Sequence, residues 1–127
     1  MRVLLLFLMS SWIWSCKKQE QANLTALRQW VITQVQGQAT ASVHQTASFV
    51  VSWPYSNGCD YIERFDQQQS GNTFSIKMMG GNRGGLCTQD AGIKTTNFQF
   101  MPHSAGTYTL RFLSADGNTF THTLVVN

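Results

Sequence analysis

From Ala47 onward, apolar and polar positions alternate with the two-residue period of a half-buried strand. Ala47, Phe49, Val51 and Trp53 share one face, and Ser48, Val50 and Ser52 the other, as expected of a sheet with one side on a core. The turn formers Pro54-Tyr55-Ser56-Asn57-Gly58 end this segment. Tyr61 to Gln67 predicts a weaker strand with Tyr61 and Phe65 as core contacts. Ser70-Gly71-Asn72 predicts a hairpin into a strand where Phe74, Ile76 and Met78 alternate with Thr73, Ser75 and Lys77. Gly80 to Gly85 predicts a flexible loop, after which Thr96, Phe98 and Phe100 form one face of a strand stopped by Pro102. Tyr108, Leu110 and Phe112 alternate with Thr107, Thr109 and Arg111, and Asp116-Gly117-Asn118 is a strong hairpin signal before a last strand, Thr119 to Val126.

The segment before Ala47 is ambiguous. Leu24, Leu27, Val31 and Val35 would share a helix face, whereas Trp30-Val31-Ile32-Thr33 is rich in strand formers. Since everything after it is β, a strand is expected from about Gln29 to Gln36. Seven short strands with regular turns predict an all-β fold, an antiparallel sandwich over residues 27–127. Its expected core is Phe49, Val51, Trp53, Phe74, Ile76, Phe98, Phe100, Tyr108, Leu110 and Phe112.

The start of the chain follows another pattern. Arg2 precedes the apolar run Val3-Leu4-Leu5-Leu6-Phe7-Leu8-Met9, which continues to Trp12-Ile13-Trp14 and stops before Lys17-Lys18-Gln19-Glu20. A positive residue and then a run too short to span a bilayer read as a secretory signal. Ile13-Trp14-Ser15-Cys16 resembles the bacterial lipobox, with Trp14 departing from the usual small residue. That resemblance implies a signal peptide over 1–15, diacylglycerol on the sulfur of Cys16, acylation of the new amino terminus by a palmitate-type chain, and a polar tether over 16–26. At about 0.8 kcal/mol per buried CH₂, several acyl chains would hold a small domain on a membrane. Lys17 carries no acidic retention signal, which makes the outer membrane the expected address.

Composition narrows the partners. The 127 residues are 43% hydrophobic and 12% charged with a formal net charge of +3, which fits one domain and leaves no basic footprint for nucleic acid. Of three cysteines, assigning Cys16 to lipid leaves Cys59 and Cys87, an even pair in an exported chain, which predicts one disulfide. A metal site lacks both CxxC spacing and a nearby His.

Ser104-Ala105-Gly106-Thr107-Tyr108-Thr109-Leu110 resembles the entry into strand F of bacterial immunoglobulin-like domains. The resemblance implies that Tyr108 buries its ring and returns its hydroxyl to backbone a few residues upstream. Residues 30–53 are similar to the first two strands of such domains. Asn57-Gly58-Cys59, Cys87-Thr88 and the hairpin from Thr107 to Val126 resemble small lipoproteins of the Bacteroidetes type. Antibody domains differ, because Cys59 and Cys87 do not fall in strands B and F.

The chain carries little that reads as chemistry. His44, His103 and His122 are isolated, and His122, between Phe120 and Leu124, reads as a half-buried, satisfied side chain. Asp60, Glu63 and Asp66 scatter over both faces of a strand and read as a solvated edge. Gly80 to Gly85 lacks the helix and the Lys-Ser or Lys-Thr of a phosphate loop. No catalytic set, cofactor or metal is therefore expected. The expected function is an envelope-anchored binding module, with an envelope protein or glycan as partner. Its contacts would come from the segments Trp53–Asp60 and Gly80–Asp90, with Tyr55, Asn57, Asn82 and Arg83 as candidate contact residues. A protease inhibitor similar to chagasin is the alternative, although that family's Asn-Pro-Thr-Thr-Gly and Arg-Pro-Trp loops are missing here.

Overall fold

The computed structural model describes residues 26–127. The signal segment 1–15, Cys16 and the tether up to residue 25 lie outside the described residues. The described chain forms nine strands and no helix: β1 (Arg28–Gln29), β2 (Gln34–Gly37), β3 (Thr40–Ala41), β4 (Ala47–Tyr55), β5 (Asp60–Ser70), β6 (Thr73–Asn82), β7 (Gly92–Phe100), β8 (Gly106–Leu113) and β9 (Thr119–Val126). One sheet runs β1-β6-β8-β9-β3 with β5 on the other side of β6, and the second is β2-β4-β7. The chain is an all-β sandwich of two sheets.

The alternating residues meet between those sheets. Phe49, Val51, Ile76, Met78, Leu110, Phe112 and Leu124 are all inaccessible to solvent, and each such side chain contributes roughly 1.5–3 kcal/mol by leaving water. Aromatic rings join the layers: Phe98 sits 5.4 Å from Phe112 and 5.1 Å from Phe65, both edge-on. Nine of the ten expected core residues are buried. Phe74 is only partly so, since it lies at one end of the sandwich with an edge against Phe100, 4.8 Å away.

The expected strand from Gln29 to Gln36 is broken. Arg28 and Gln29 pair with Gly80 and Met79 in one sheet, whereas Gln34 to Gly37 pair with Ser52 to Phe49 in the other. Trp30 to Thr33 carries the chain between layers and buries Trp30 and Ile32 as a plug. Its backbone bonds are made out of register: Trp30 N–H donates to Met78 O (2.9 Å), Ile32 N–H to Ser114 Oγ (2.9 Å), and Thr33 N–H to Ser52 O (2.9 Å). Strand-forming residue types marked burial here, not continuous pairing.

Two further differences concern pairing. β6 pairs with β8 in parallel, Thr73 to Thr109 through Lys77 to Leu113, and β3 pairs with β9 in parallel. Alternation specifies a face and not a direction, so the sequence could not announce this. The Gly80 region also departs from the expected loop, because β6 continues through Gly80, Gly81 and Asn82 opposite Ile62, Tyr61 and Asp60. A side chain at Gly80 would strike Tyr61 O and the Trp30 indole. Glycine here permits close backbone approach within a strand.

The corner before β8 is as the sequence resemblance implied. Tyr108 is buried, and its hydroxyl donates to Ser104 O at 2.8 Å. Tyr108→Phe should therefore lower stability by about 1 kcal/mol. Urea unfolding would show this as a lower midpoint with an unchanged slope, and an unchanged midpoint would mean that the bond contributes nothing.

Candidate functional site

One end of the sandwich is built where β4 passes into β5 and β6 into β7. Cys59 and Cys87 form a disulfide there, with Cα atoms 5.3 Å apart across 28 positions of sequence. It ties the short turn Ser56 to Cys59 to the longer loop Arg83 to Ala91. Backbone bonds run beside it: Gly58 N–H to Thr88 O (3.0 Å) and Arg83 N–H to Cys59 O (3.0 Å). A side chain on Gly58 would collide with that of Thr88, so the two segments can lie this close only with glycine present. Gly84 and Gly85 have φ of 68° and 82°, which glycine adopts without strain.

Beneath the disulfide lies Asp60, 5% exposed. One carboxylate oxygen accepts from Ser56 N–H (2.6 Å) and Ser56 Oγ (2.7 Å), and the other from Asn82 Nδ2 (2.8 Å). Asn82 also donates to Asn57 Oδ1 (3.0 Å) and accepts from Gly84 N–H (2.9 Å) through its own Oδ1. Asn57 Oδ1 in turn accepts from Cys59 N–H (2.9 Å), closing the turn. Burial pushes the Asp60 carboxyl up. Hydrogen bonds from Asn82, from the Ser56 backbone and hydroxyl and from the Asn57 backbone together outweigh it and hold the pKa below the usual 3.8. The expected solvated edge is thus corrected at Asp60. Its sequence position, beside Cys59 at the mouth of a strand, carries it inward.

The four candidate contact residues all come to this end, in two different settings. Asn57 and Asn82 face into the Asp60 network, and Asn82 is the last residue of β6 rather than part of a loop. Tyr55, likewise the last residue of β4, is half-buried, its ring packed against the core beside Trp53 and its hydroxyl at the surface. Its hydroxyl donates to Asp90 Oδ2 (3.1 Å), and Lys94 Nζ lies 4.4 Å from the ring centre. Hydrogen bonds from the Thr88 side chain, then the Asp90 backbone and then Tyr55 hold the Asp90 carboxyl low; the Tyr55 bond in turn raises the Tyr55 hydroxyl. Arg83 is exposed, with its guanidinium 4.7 Å from the ring centre of Tyr61.

Sequence reasoning missed Leu86 and Ile93. Leu86 is fully exposed one residue before Cys87, and Ile93 is 59% exposed at the start of β7. An apolar residue beside a loop cysteine was the available signal. Elsewhere, His122 is half-buried as expected, with Nε2 2.8 Å from Gln38 O and its ring edge-on to Phe49 at 4.9 Å. Among the described residues no group of three or more His, Cys, Asp or Glu could hold a metal ion.

A family model described as the ORF11 beta-sandwich domain matches residues 49–126, more than half of the chain. The chain belongs to the ORF11 beta-sandwich domain family. The match runs from within β4 to the end of β9, so Cys59, Cys87, Asp60 and the whole platform fall inside the ORF11 domain, while β1 to β3 precede the matched region. No curated protein and no solved structure matches the chain.

The Asp60 network has a pH signature. A carboxyl with a folded pKa below its unfolded value stabilises fully above about 3.9, and that contribution disappears as the pH falls through the folded value. Asp116 is also held low, first by Ser114 and then by the Asn118 backbone, but it and Asp90 are exposed and count for less. Urea midpoints should thus be flat from pH 7 to about 5 and drop below about 4, and Asp60→Asn should flatten that drop. An equally steep acid limb in the variant would place the coupling elsewhere.

Proposed function

We propose that the protein is a non-catalytic binding module, lipid-anchored to a bacterial cell envelope, which engages a partner through the disulfide-tied end of its sandwich. The observation that carries this is the exposed pair Arg83 and Leu86, with the hydroxyl end of half-buried Tyr55 at their edge, on segments joined by Cys59–Cys87. Tyr and Arg are the residue types that dominate binding hot spots. A loop already held in shape gives up little conformational entropy on binding. The exposed Leu86 and Ile93 add apolar surface, which favours an envelope protein over a glycan at this end. Asn57 and Asn82 support the platform from beneath.

The address rests on the sequence. Arg2, the apolar run and Ile13-Trp14-Ser15-Cys16 argue for export and lipidation at Cys16, with the outer membrane as destination. A disulfide belongs to an oxidising compartment, which agrees with export.

Crosslinking and capture from the native envelope test both halves. Cys16→Ser should take up no acyl chain and should not be cleaved before residue 16; a variant that stays membrane-bound and is cleaved at the same site removes the anchor. Tyr55→Ala combined with Arg83→Ala should lose the partners that the wild type captures. Equal capture by both proteins rules out this surface. Inhibition of papain by the wild type but not by the double variant would assign the platform to protease inhibition instead.

A further inference from the structure

The opposite end of the sandwich holds a cleft of about 390 Å³ between β5, β6 and the end of β7. That size lies within the range of small-ligand pockets, about 300–1,000 Å³. Its walls depend on a break in the patterning of β5. Phe65, Gln67 and Gln69 share one face of that strand, and Phe65 uses it to pack on Phe98. The next two positions on this face are amides that line the cleft. Both are exposed, so the seam between the sheets opens to solvent at this end of the strand face.

The floor beneath them is aromatic. Phe74, Phe100 and Tyr108 form a closed triad with ring centres 4.8, 5.5 and 6.2 Å apart, and Phe74 is the partly exposed member. The far wall is Gln99, Met101 and His103. Gln69 is held to Gly71 O (3.0 Å) and Asn72 to Thr107 O (3.3 Å). Gln67 and Gln99 make no side-chain hydrogen bond among the described residues. No Asp, Glu, Lys or Arg lines the cleft, so a charged ligand would be desolvated there without a counter-charge.

We propose that this cleft binds a neutral oligosaccharide, stacked on Phe74 and hydrogen-bonded by the free amides of Gln67 and Gln99. A side-chain amide offers both a donor and an acceptor, and sugar hydroxyls do the same. A partly exposed aromatic face supplies the apolar surface that sugar C–H groups lack in water. The site is separate from the Cys59–Cys87 platform, at the other end of the same core, and stands or falls independently of it.

The test is nuclear magnetic resonance of the full chain in a zwitterionic detergent without sugar head groups. Maltotriose, cellotriose, chitotriose and xylotriose are titrated to about 10 mM, which detects binding into the millimolar range. At least one should shift the side-chain amides of Gln67 and Gln99 and the rings of Phe74 and His103. Gln67→Ala with Gln99→Ala, both exposed positions, should weaken that binding about tenfold or more. The rest of the variant's spectrum should be unchanged, and Tyr55→Ala with Arg83→Ala should bind sugar as the wild type does. No shift with any of the four sugars overturns the proposal. So does a trialanine peptide that moves backbone amides along β5 while the sugars do not, which would make the seam a peptide-binding edge.

Discussion

Asp60 places a carboxylate out of water, and such a group is tolerable only where several donors face it. Here the donors come from Ser56 on one side and Asn82 on the other, so the charge can be satisfied only when the start of β5, the end of β6 and the intervening turn are all in place. The disulfide is formed by the preceding residue, Cys59. The two devices act on different states: the cross-link restricts the unfolded chain, while the carboxylate selects one arrangement of the folded one. Together they hold the loop that carries Arg83 and Leu86 at the surface, beside Tyr55 on the rim of the core.

The aromatic interior ties that end to the other. Phe49, Phe98 and Phe112 pack across the layers at mid-height, and the crossing segment Trp30 to Thr33 seals the disulfide end between the sheets. Trp30 meets Trp53 edge-on at 5.3 Å and Arg28 lies 4.5 Å over its ring. Toward the opposite end this apolar packing gives way to Gln67 and Gln69 on the same strand face. One end is closed by charge and covalent linkage; the other is left open and polar.

Much of this was legible in the chain because strand alternation reports burial directly. Phe49-Val51-Trp53 and Tyr108-Leu110-Phe112 could be assigned to the core from alternation alone, and the cysteine pair followed from parity. Direction and layer-crossing were not legible. Nothing in Thr73–Lys77 says that its neighbour runs parallel, and Trp30–Thr33 has strand composition because it is buried between sheets. Asp60 was misread as solvated because a carboxylate's environment depends on which donors the fold brings near it, and Asn82 is remote in sequence. The same limit separated Asn57 and Asn82 from Tyr55 and Arg83: four surface-type residues in turn-rich segments look alike until their partners are known.

Hydrogen exchange on Asp60→Asn, with the disulfide intact, tests most directly whether the buried carboxylate organises the platform. The amides of Ser56, Gly58, Cys59, Arg83 and Gly84 all bond within that end, and in the variant they should exchange faster as a group. The amides of Phe49, Val51, Leu110 and Phe112 should keep the protection they have in the wild type. Unchanged protection at residues 56–60 and 83–84 would show that the disulfide alone holds the end together, and would contradict the role given to Asp60.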